Sequence, residues 1–253
     1  MRTLRPMVAA ISRLRSRTAL VAMLLAVVSP AHGWEDTPRL RIYYLAYPVD
    51  WNGKTIMIGA RLQLPFATNG KIPAVVILHG TAGLSYSGVY YAAELNRAGI
   101  ASLEIDQWGG RGLPGGASSR PNGLGDNLRD VAGAYHLLAE RPEIDAGRIG
   151  LMGSSMGGIQ TMLTMTRRNS DAILGLDAHF KAAVALYPIC WLYNHVPGAD
   201  FVDLVDAPIR IMVGSEDDYD GGGGACEALF QGARATGCGA RVAARLFRRD
   251  TYL

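Results

Sequence analysis

The 253-residue sequence contains no internal repeat, no heptad pattern and no long low-complexity tract, so nothing in it indicates a repeat protein or a coiled coil. Beyond the N-terminal segment, the sequence is not strongly basic. Five arginines lie among the first 17 residues, and without them the net charge would be −2 rather than +3. We therefore expect no nucleic-acid partner. Close to half of the residues are hydrophobic, which suits one sizeable globular domain.

The apolar run near the N-terminus is shorter than a membrane-spanning helix. It covers residues 18–28, whereas a spanning helix needs roughly 20 residues. Arginines precede it and the small residues Ala31 and Gly33 follow it, a pattern typical of a secretory signal peptide. We predict a signal peptide over residues 1–33, a mature domain over 34–253, a secreted or periplasmic location and no stable membrane span after cleavage. An uncleaved anchor is the alternative.

Cysteine is scarce. Cys226 and Cys238 flank one predicted helix, which would hold them about 18 Å apart, too far for a disulfide. Cys190 with Cys226 is the more plausible pair in an oxidising compartment, and three unpaired thiols are the alternative.

Strand and helix patterns alternate along the chain. The predicted strands cover residues 39–47, 55–66, 73–80, 100–106, 148–154, 181–188, 207–214 and 241–247, and the predicted helices residues 90–99, 127–142, 156–168 and 225–237. Most strands are apolar throughout, which predicts an α/β fold with a mostly parallel central sheet flanked by helices. The first two strands have no helix between them and favour an antiparallel edge. Ligands of such sheets bind beyond the carboxyl ends of the strands.

The segment G-S-S-M-G at residues 153–157 follows a predicted buried strand and precedes a predicted helix. It matches G-x-S-x-G only with Ser155 at its centre. A nucleophile on so sharp a turn needs glycine two residues to either side, because larger side chains would clash. We therefore predict Ser155 as a nucleophile. The alternative is a turn whose small residues merely allow close packing.

A nucleophile in acyl transfer needs amides that stabilise the oxyanion, and a carboxylate. The amide of Met156 is one predicted donor, and the amide of Thr81, in the loop after the third strand, is the other, with Ala82 next. His79 at the start of that loop is predicted to be structural. The acidic run after residue 213 offers Glu216, Asp217, Asp218 and Asp220 for the acid. A calcium loop and a solvated acidic loop are the alternatives.

The chain resembles the α/β-hydrolase superfamily and, within it, the dienelactone hydrolase family. The segments that carry the resemblance are VVILHGTAGL, LEIDQWGGRG, RIGLMGSSMGG, FKAAVALYPIC and IMVGSEDDYDGGGGACEAL, in family order over roughly residues 73–247. The resemblance implies Ser155 as nucleophile and Asp217 as acid, with Asp218 as competitor. Many dienelactone hydrolases use cysteine at the nucleophile position, so serine indicates the broader esterase branch.

No histidine follows His195 in the sequence. The family's general base is a histidine after the last strand, about where Leu253 stands or beyond, and a final helix normally follows it. We therefore expect a domain that is short at its C-terminus, with the last helix missing and no evident general base. His136 is predicted on a helix surface and His179 at the wrong end of the sheet. His195 lies at the right edge and is the weak alternative.

Residues beside the predicted site suggest how substrate binds. Arg111 could pair with a substrate carboxylate or with a nearby aspartate such as Asp106, and Trp191 could form an apolar wall or ordinary loop packing. No metal-ligand set and no phosphate-binding loop is visible, so we expect no metal and no cofactor. The leading hypothesis is a serine hydrolase acting on carboxylic esters or small lactones. The alternatives are a non-catalytic binding protein with this fold and, less favoured, a peptidase. The sequence does not indicate the oligomeric state.

Overall fold

The computed structural model describes residues 39–66, 70–120, 123, 125–176, 178–233, 235 and 242–247. Chain contacts divide the protein into two units, Met1–Thr37 and Pro38–Leu253, and every described residue belongs to the second. The predicted signal peptide and Cys238 lie outside the described residues. In the described part of the chain, no helix is long and apolar enough to cross a membrane.

Eight strands form one sheet. They are β1 (Leu40–Trp51), β2 (Lys54–Pro65), β3 (Ile72–Leu78), β4 (Ala101–Asp106), β5 (Ile144–Ser154), β6 (Ala183–Leu186), β7 (Ile209–Gly214) and β8 (Val242–Phe247). Their order across the sheet is β1-β2-β4-β3-β5-β6-β7-β8. The pairs β1–β2 and β2–β4 are antiparallel, and all later pairs are parallel. The predicted antiparallel edge and the mostly parallel sheet are therefore confirmed.

The described helices are α1 (Tyr86–Arg97), α2 (Leu128–Ala139), α3 (Met156–Thr164), α4 (Arg167–Leu174) and α5 (Gly224–Ala233). The prediction of one helix over residues 156–168 was wrong, because the helix is interrupted at Thr166 and a second helix begins after it. That residue is extended (φ −81°, ψ 140°), and its side chain accepts a hydrogen bond from the amide of Asn169 at the start of α4. No helix follows β8 within the described residues.

The central strands are apolar on both faces because both faces are covered. In β3, Ala74, Val76 and Leu78 join the large core that also contains α2 and α3. Ile77 points to the other face, where it packs in a smaller cluster with Ala92 of α1. This alternation of successive side chains is the period of a strand. It explains why β3 has a continuous apolar run. The parallel pairing of the strands from β4 across to β8 places their carboxyl ends at one edge of the sheet.

Candidate active site

Ser155 occupies a strained turn between β5 and α3. Its backbone angles are φ 52° and ψ −115°, a region that L residues rarely adopt and that costs on the order of 1–3 kcal/mol. The turn is held on both sides, because the Ser155 amide donates to the carbonyl of Leu186 at 2.9 Å and its carbonyl accepts from the amide of Ile159 at 2.9 Å. The side chain is thereby presented at the carboxyl end of β5.

The two glycines that flank Ser155 are required by contact distances. A Cβ atom at Gly153 would lie 2.3 Å from the carbonyl oxygen of Gly157, and one at Gly157 would lie 2.5 Å from the carbonyl oxygen of Leu78. Both distances are far below van der Waals contact with rigid backbone atoms. The spacing that selected Ser155 in the sequence therefore has a steric cause in the fold.

A cavity of about 190 Å³ opens beside Ser155. Its walls come from five parts of the chain, and the lining residues are Thr81, Arg120, Ser155, Met156, Ile159, Gln160, Ile189, Leu192 and Tyr219. The structure thus brings together Ser155 and both residues predicted to supply the oxyanion amides. Ser155 and Met156 follow β5 and Thr81 follows β3, at the edge where the sheet was expected to bind ligands.

Both residues predicted to supply oxyanion amides lie close to Ser155. Met156 is the first residue of α3, so its amide has no acceptor within the helix and lies at the positive end of the helix dipole. The loop of Thr81 passes close to the nucleophile, since a Cβ atom added at Gly80 would lie 3.5 Å from the Cβ of Ser155. The Thr81 carbonyl accepts from the amide of Gly116 at 2.9 Å and from Nε1 of Trp108 at 3.0 Å, which fixes this loop.

Several lining residues were missed from the sequence. Ile159 and Gln160 lie four and five residues after Ser155, on the helical face that also carries Met156, so helical spacing would have found them. Arg120 and Tyr219 lie in irregular loops, where no periodic pattern points to them. Arg120 donates from Nε to Oγ1 of Thr81 at 3.3 Å, which leaves a cation at the mouth of the cavity.

The acidic loop after β7 gives its carboxylates different surroundings. Oδ1 of Asp217 accepts from the amides of Tyr219 and Asp220 at 3.0 and 3.3 Å, while Asp218 is exposed. Asp220 is buried, and its carboxylate accepts from the amides of Cys190 and Trp191 at 2.8 and 3.2 Å. Burial raises the pKa of Asp220. Asp220 therefore anchors the loop after β6, and Asp217 stays the predicted acid.

None of the described histidines lines the Ser155 cavity. His79 is 5% exposed, its Nδ1 lies 2.7 Å from the carbonyl oxygen of Gly80, and its Nε2 accepts from the amide of Gln107 at 3.1 Å. Because Nε2 accepts a hydrogen bond, the ring is neutral and carries its proton on Nδ1. Burial lowers the pKa of His79, which also favours the neutral ring. Its structural role is as predicted. His136 and His195 are exposed, and His179 precedes β6, at the opposite end of the strand from the cavity.

The structure corrects the two predicted substrate-binding residues. The side chain of Arg111 is 2% exposed, and its two terminal nitrogens donate to the carboxylate of Asp130 at 2.8 and 3.0 Å. Its partner is Asp130 of α2 and not Asp106. Because both terminal nitrogens bind Asp130, they are not available for the same paired contact with a substrate carboxylate. Trp191 is 52% exposed and does not line the Ser155 cavity, where Leu192 takes the expected apolar role.

A disulfide joins Cys190 to Cys226, which are 36 positions apart in sequence and have Cα atoms 4.9 Å apart. This is the pair that the sequence favoured. It connects the loop after β6 to α5, which follows the acidic loop. Within the described residues the two sulfurs and Asp220 are the one group of possible metal ligands close together, and the disulfide occupies both sulfurs.

The sheet order and the strained turn between β5 and α3 are those of an α/β-hydrolase. The family model for serine aminopeptidases of family S33 (Hydrolase_4) matches residues 71–219, more than half of the sequence, and the chain belongs to this family. The α/β-hydrolase resemblance seen in the sequence is confirmed.

Individual relatives agree with this assignment. An uncharacterised protein of Mycobacterium tuberculosis (strain ATCC 25618 / H37Rv) is 27% identical over 227 residues, which cover 81% of this chain and 79% of that protein. The fold is similar to an esterase of Pyrobaculum calidifontis (TM-score 0.62, 17% identity, 84% of this chain and 77% of that one). It is also similar to a dienelactone hydrolase-like promiscuous phosphotriesterase, P91, from metagenomic libraries (TM-score 0.56, 19% identity, 81% and 82%).

Proposed function

We propose that this protein is a serine hydrolase that cleaves carboxylic esters or small lactones through an acyl-enzyme on Ser155. The observation that carries the proposal is the strained turn at Ser155, which presents the hydroxyl in one cavity with Met156 and Thr81. A non-catalytic turn does not require a positive φ at a serine. The strained conformation of Ser155 is therefore explained by the position that it gives to the side chain.

In the proposed reaction, Oγ of Ser155 attacks the ester carbonyl and loses its proton to a base. The carbonyl electron pair moves to oxygen, where the amides of Met156 and Thr81 stabilise the negative charge. The intermediate then collapses, the alcohol leaves with the proton, and a water molecule repeats the sequence to release the acid. Asp217 would orient the base. A lactone would follow the same path with the alcohol still attached to the acyl group.

The base is the unassigned part of this mechanism. β8 runs parallel to β7 at the edge of the sheet, so its carboxyl end lies on the same side as the Asp217 loop. The sequence has no histidine after His195, and no described histidine lines the cavity. Because a serine hydroxyl without a base is a weak nucleophile at neutral pH, the test of this proposal includes imidazole as an external base.

The test combines labelling and turnover. A fluorophosphonate probe should label Ser155, and p-nitrophenyl acetate should be hydrolysed at a rate that added imidazole increases. Ser155→Ala is the control, because it measures both non-specific labelling and hydrolysis by free imidazole. If the wild-type protein and Ser155→Ala behave alike in both assays, with and without imidazole, the proposed function is wrong for this chain.

A non-catalytic binding protein is the second candidate, favoured by the lack of an imidazole in the cavity among the described residues. It predicts no Ser155-dependent rate even with imidazole present, while ester analogues still bind. The two candidates therefore differ in one measured quantity, the imidazole-dependent rate that disappears in Ser155→Ala.

Esters are favoured over peptides by the charge of the cavity. An aminopeptidase must bind the substrate's ammonium group, yet the residues that line the Ser155 cavity include Arg120 and no carboxylate. A cation opposes a second cation at this range. We therefore expect p-nitrophenyl esters to be hydrolysed and amino-acid p-nitroanilides not to be. The reverse preference would place the protein with the peptidases that its family is named for.

We also propose a secreted or periplasmic location. The N-terminal pattern of arginines, an apolar run and small residues supports it, and so does the disulfide between Cys190 and Cys226, since disulfides are rare in the cytosol. Fractionation of expressing cells should place the mature protein outside the cytoplasm with an N-terminus near residue 34. A cytoplasmic protein that keeps residue 1 would contradict the proposal.

A further inference from the structure

Gln160 is a buried amide without a partner in the wall of the Ser155 cavity. It is 1% exposed, it lines the cavity, and neither Oε1 nor Nε2 has a hydrogen-bond partner among the described residues. Buried polar groups are nearly always paired, because an unpaired one loses its hydrogen bonds to water without replacement. The two unpaired atoms of the Gln160 amide therefore indicate that a bound ligand supplies their hydrogen-bond partner.

The surroundings of Gln160 offer no internal substitute. Its own carbonyl accepts from Oγ1 of Thr164 at 2.8 Å, and the carbonyl of Ile159 accepts from the hydroxyl of Tyr193 at 3.2 Å. The other residues of this wall, Met156, Ile159, Ile189 and Leu192, present apolar side chains. An apolar residue of similar size would complete the wall without leaving polar atoms unpaired. The amide is thus a polar group beside four apolar side chains, in the same cavity as Ser155.

We propose that the Gln160 amide binds an uncharged polar group on the acyl part of the substrate, so that the preferred substrates are esters or lactones of short hydroxy acids. This inference rests on the proposed function. A hydroxyl group both accepts from Nε2 and donates to Oε1, so it satisfies both ends of the amide. A carboxylate accepts only and would face Oε1 with a like partial charge. A plain alkyl chain would leave both ends unpaired. The cavity of about 190 Å³ suits an acyl group of a few carbon atoms.

Substrate preference provides the first test. Wild-type protein should hydrolyse the naphthyl ester of 3-hydroxybutanoate with a higher kcat/KM than that of butanoate. Gln160→Met keeps the length of the side chain but removes its polar atoms, and should lower this ratio by about 10- to 100-fold. Gln231→Met, on the exposed face of α5, is the matched control and should leave the ratio unchanged. An unchanged ratio in Gln160→Met would overturn the inference.

Binding provides a test that does not depend on turnover. In the Ser155→Ala background, methyl 3-hydroxybutanoate should raise the Tm more than methyl butanoate does, and adding Gln160→Met should remove the difference. Gln160→Met should also raise the Tm of the ligand-free protein, because it removes two unpaired buried atoms. Equal Tm shifts for the two esters, or a lower Tm of the ligand-free variant, would contradict the inference. Failure of Ser155 labelling with these shifts intact would reject the proposed function alone.

Discussion

Ser155 keeps a backbone conformation that is unfavourable for any residue with a Cβ atom, and this makes the strain measurable apart from activity. We predict that Ser155→Gly stabilises the protein by about 1 kcal/mol, because glycine adopts φ 52° without the steric cost. Chemical denaturation monitored by tryptophan fluorescence measures the change in the free energy of unfolding.

Ser155→Ala is the control for this measurement, since alanine removes the hydroxyl but keeps the Cβ atom and hence the strain. It should leave the free energy of unfolding close to that of the wild type. Equal stability of Ser155→Gly and Ser155→Ala would mean that the turn is not strained, and the main support for a nucleophile at this position would be lost.

His79 gives the protein a dependence of stability on pH. Burial lowers its pKa in the folded state below the ordinary value of 6.5. Between these two pKa values the unfolded chain binds a proton that the folded protein does not, so the free energy of unfolding falls as the pH drops below about 6.5. The slope is at most about 1.4 kcal/mol for each pH unit. Above the unfolded pKa the contribution is fully present.

The matched variant for His79 is His79→Asn, which keeps one donor and one acceptor but cannot be protonated in this range. Urea denaturation of both proteins from pH 7.5 to 5 should show a steeper loss of stability in the wild type. Other groups, such as the buried Asp220, titrate in both proteins and cancel in the difference. Parallel curves for the two proteins would show that folding does not lower the pKa of His79.

At the scale of elements, the junction of β5 and α3 has no room for a side chain. Gly157→Ala would place a methyl group 2.5 Å from the carbonyl oxygen of Leu78 and 2.7 Å from that of His79. Since both are backbone atoms of β3 and its loop, relief requires α3 to move away. We predict a loss of about 3 kcal/mol in stability and loss of Ser155 labelling by the fluorophosphonate probe.

Gly232→Ala is the matched control for Gly157→Ala, because Gly232 is also helical and has open space where the Cβ atom would lie. Alanine there should be neutral or stabilise the protein by up to about 1 kcal/mol, since it favours the helix. If the two variants unfold at the same denaturant concentration, the contact at Gly157 is not what positions α3.

The elements could be predicted because their causes are local. Each described strand overlaps a segment recognised from its β-branched and apolar residues, and Ser155 followed from the spacing of two glycines. The break between α3 and α4 had a tertiary cause. Thr166 pairs with Leu204 in an isolated β-bridge, and this contact, 38 residues away along the chain, ends a helix that the local pattern would continue.

Arg111 shows the same limit at the site. Arg111 follows the carboxyl end of β4, as expected, and the sequence offered Asp106 as an example of a structural partner. The packing of α2 instead brings Asp130 to it. Asp106 instead accepts from the amides of Trp108 and Gly109, both at 3.0 Å. Asp130 is fully buried and takes both terminal nitrogens of the arginine. Such a partner follows from the fold and not from the motif.

The loops that follow the neighbouring strands β6 and β7 close the cavity. Two kinds of contact, hydrogen bonds and a disulfide, hold this part of the molecule together. The carboxylate of Asp220 accepts from the amides of Cys190 and Trp191, and the disulfide ties Cys190 to Cys226 of α5. Ile189 and Leu192, which flank this connection, line the cavity from one loop, and Tyr219 lines it from the other. The shape of the Ser155 cavity therefore depends on a covalent link that a reductant can open.

We predict that reduction lowers the free energy of unfolding by about 4 kcal/mol, because it releases a loop of 36 residues in the unfolded chain. It should also raise KM more than it lowers kcat, since Ser155 and Met156 lie on elements outside the link while Ile189 and Leu192 move with it. The Cys190→Ser/Cys226→Ser double variant should match the reduced wild type and be insensitive to dithiothreitol. If thiol titration shows two freed sulfurs while stability and KM stay unchanged, the Asp220 contacts alone hold the two loops together.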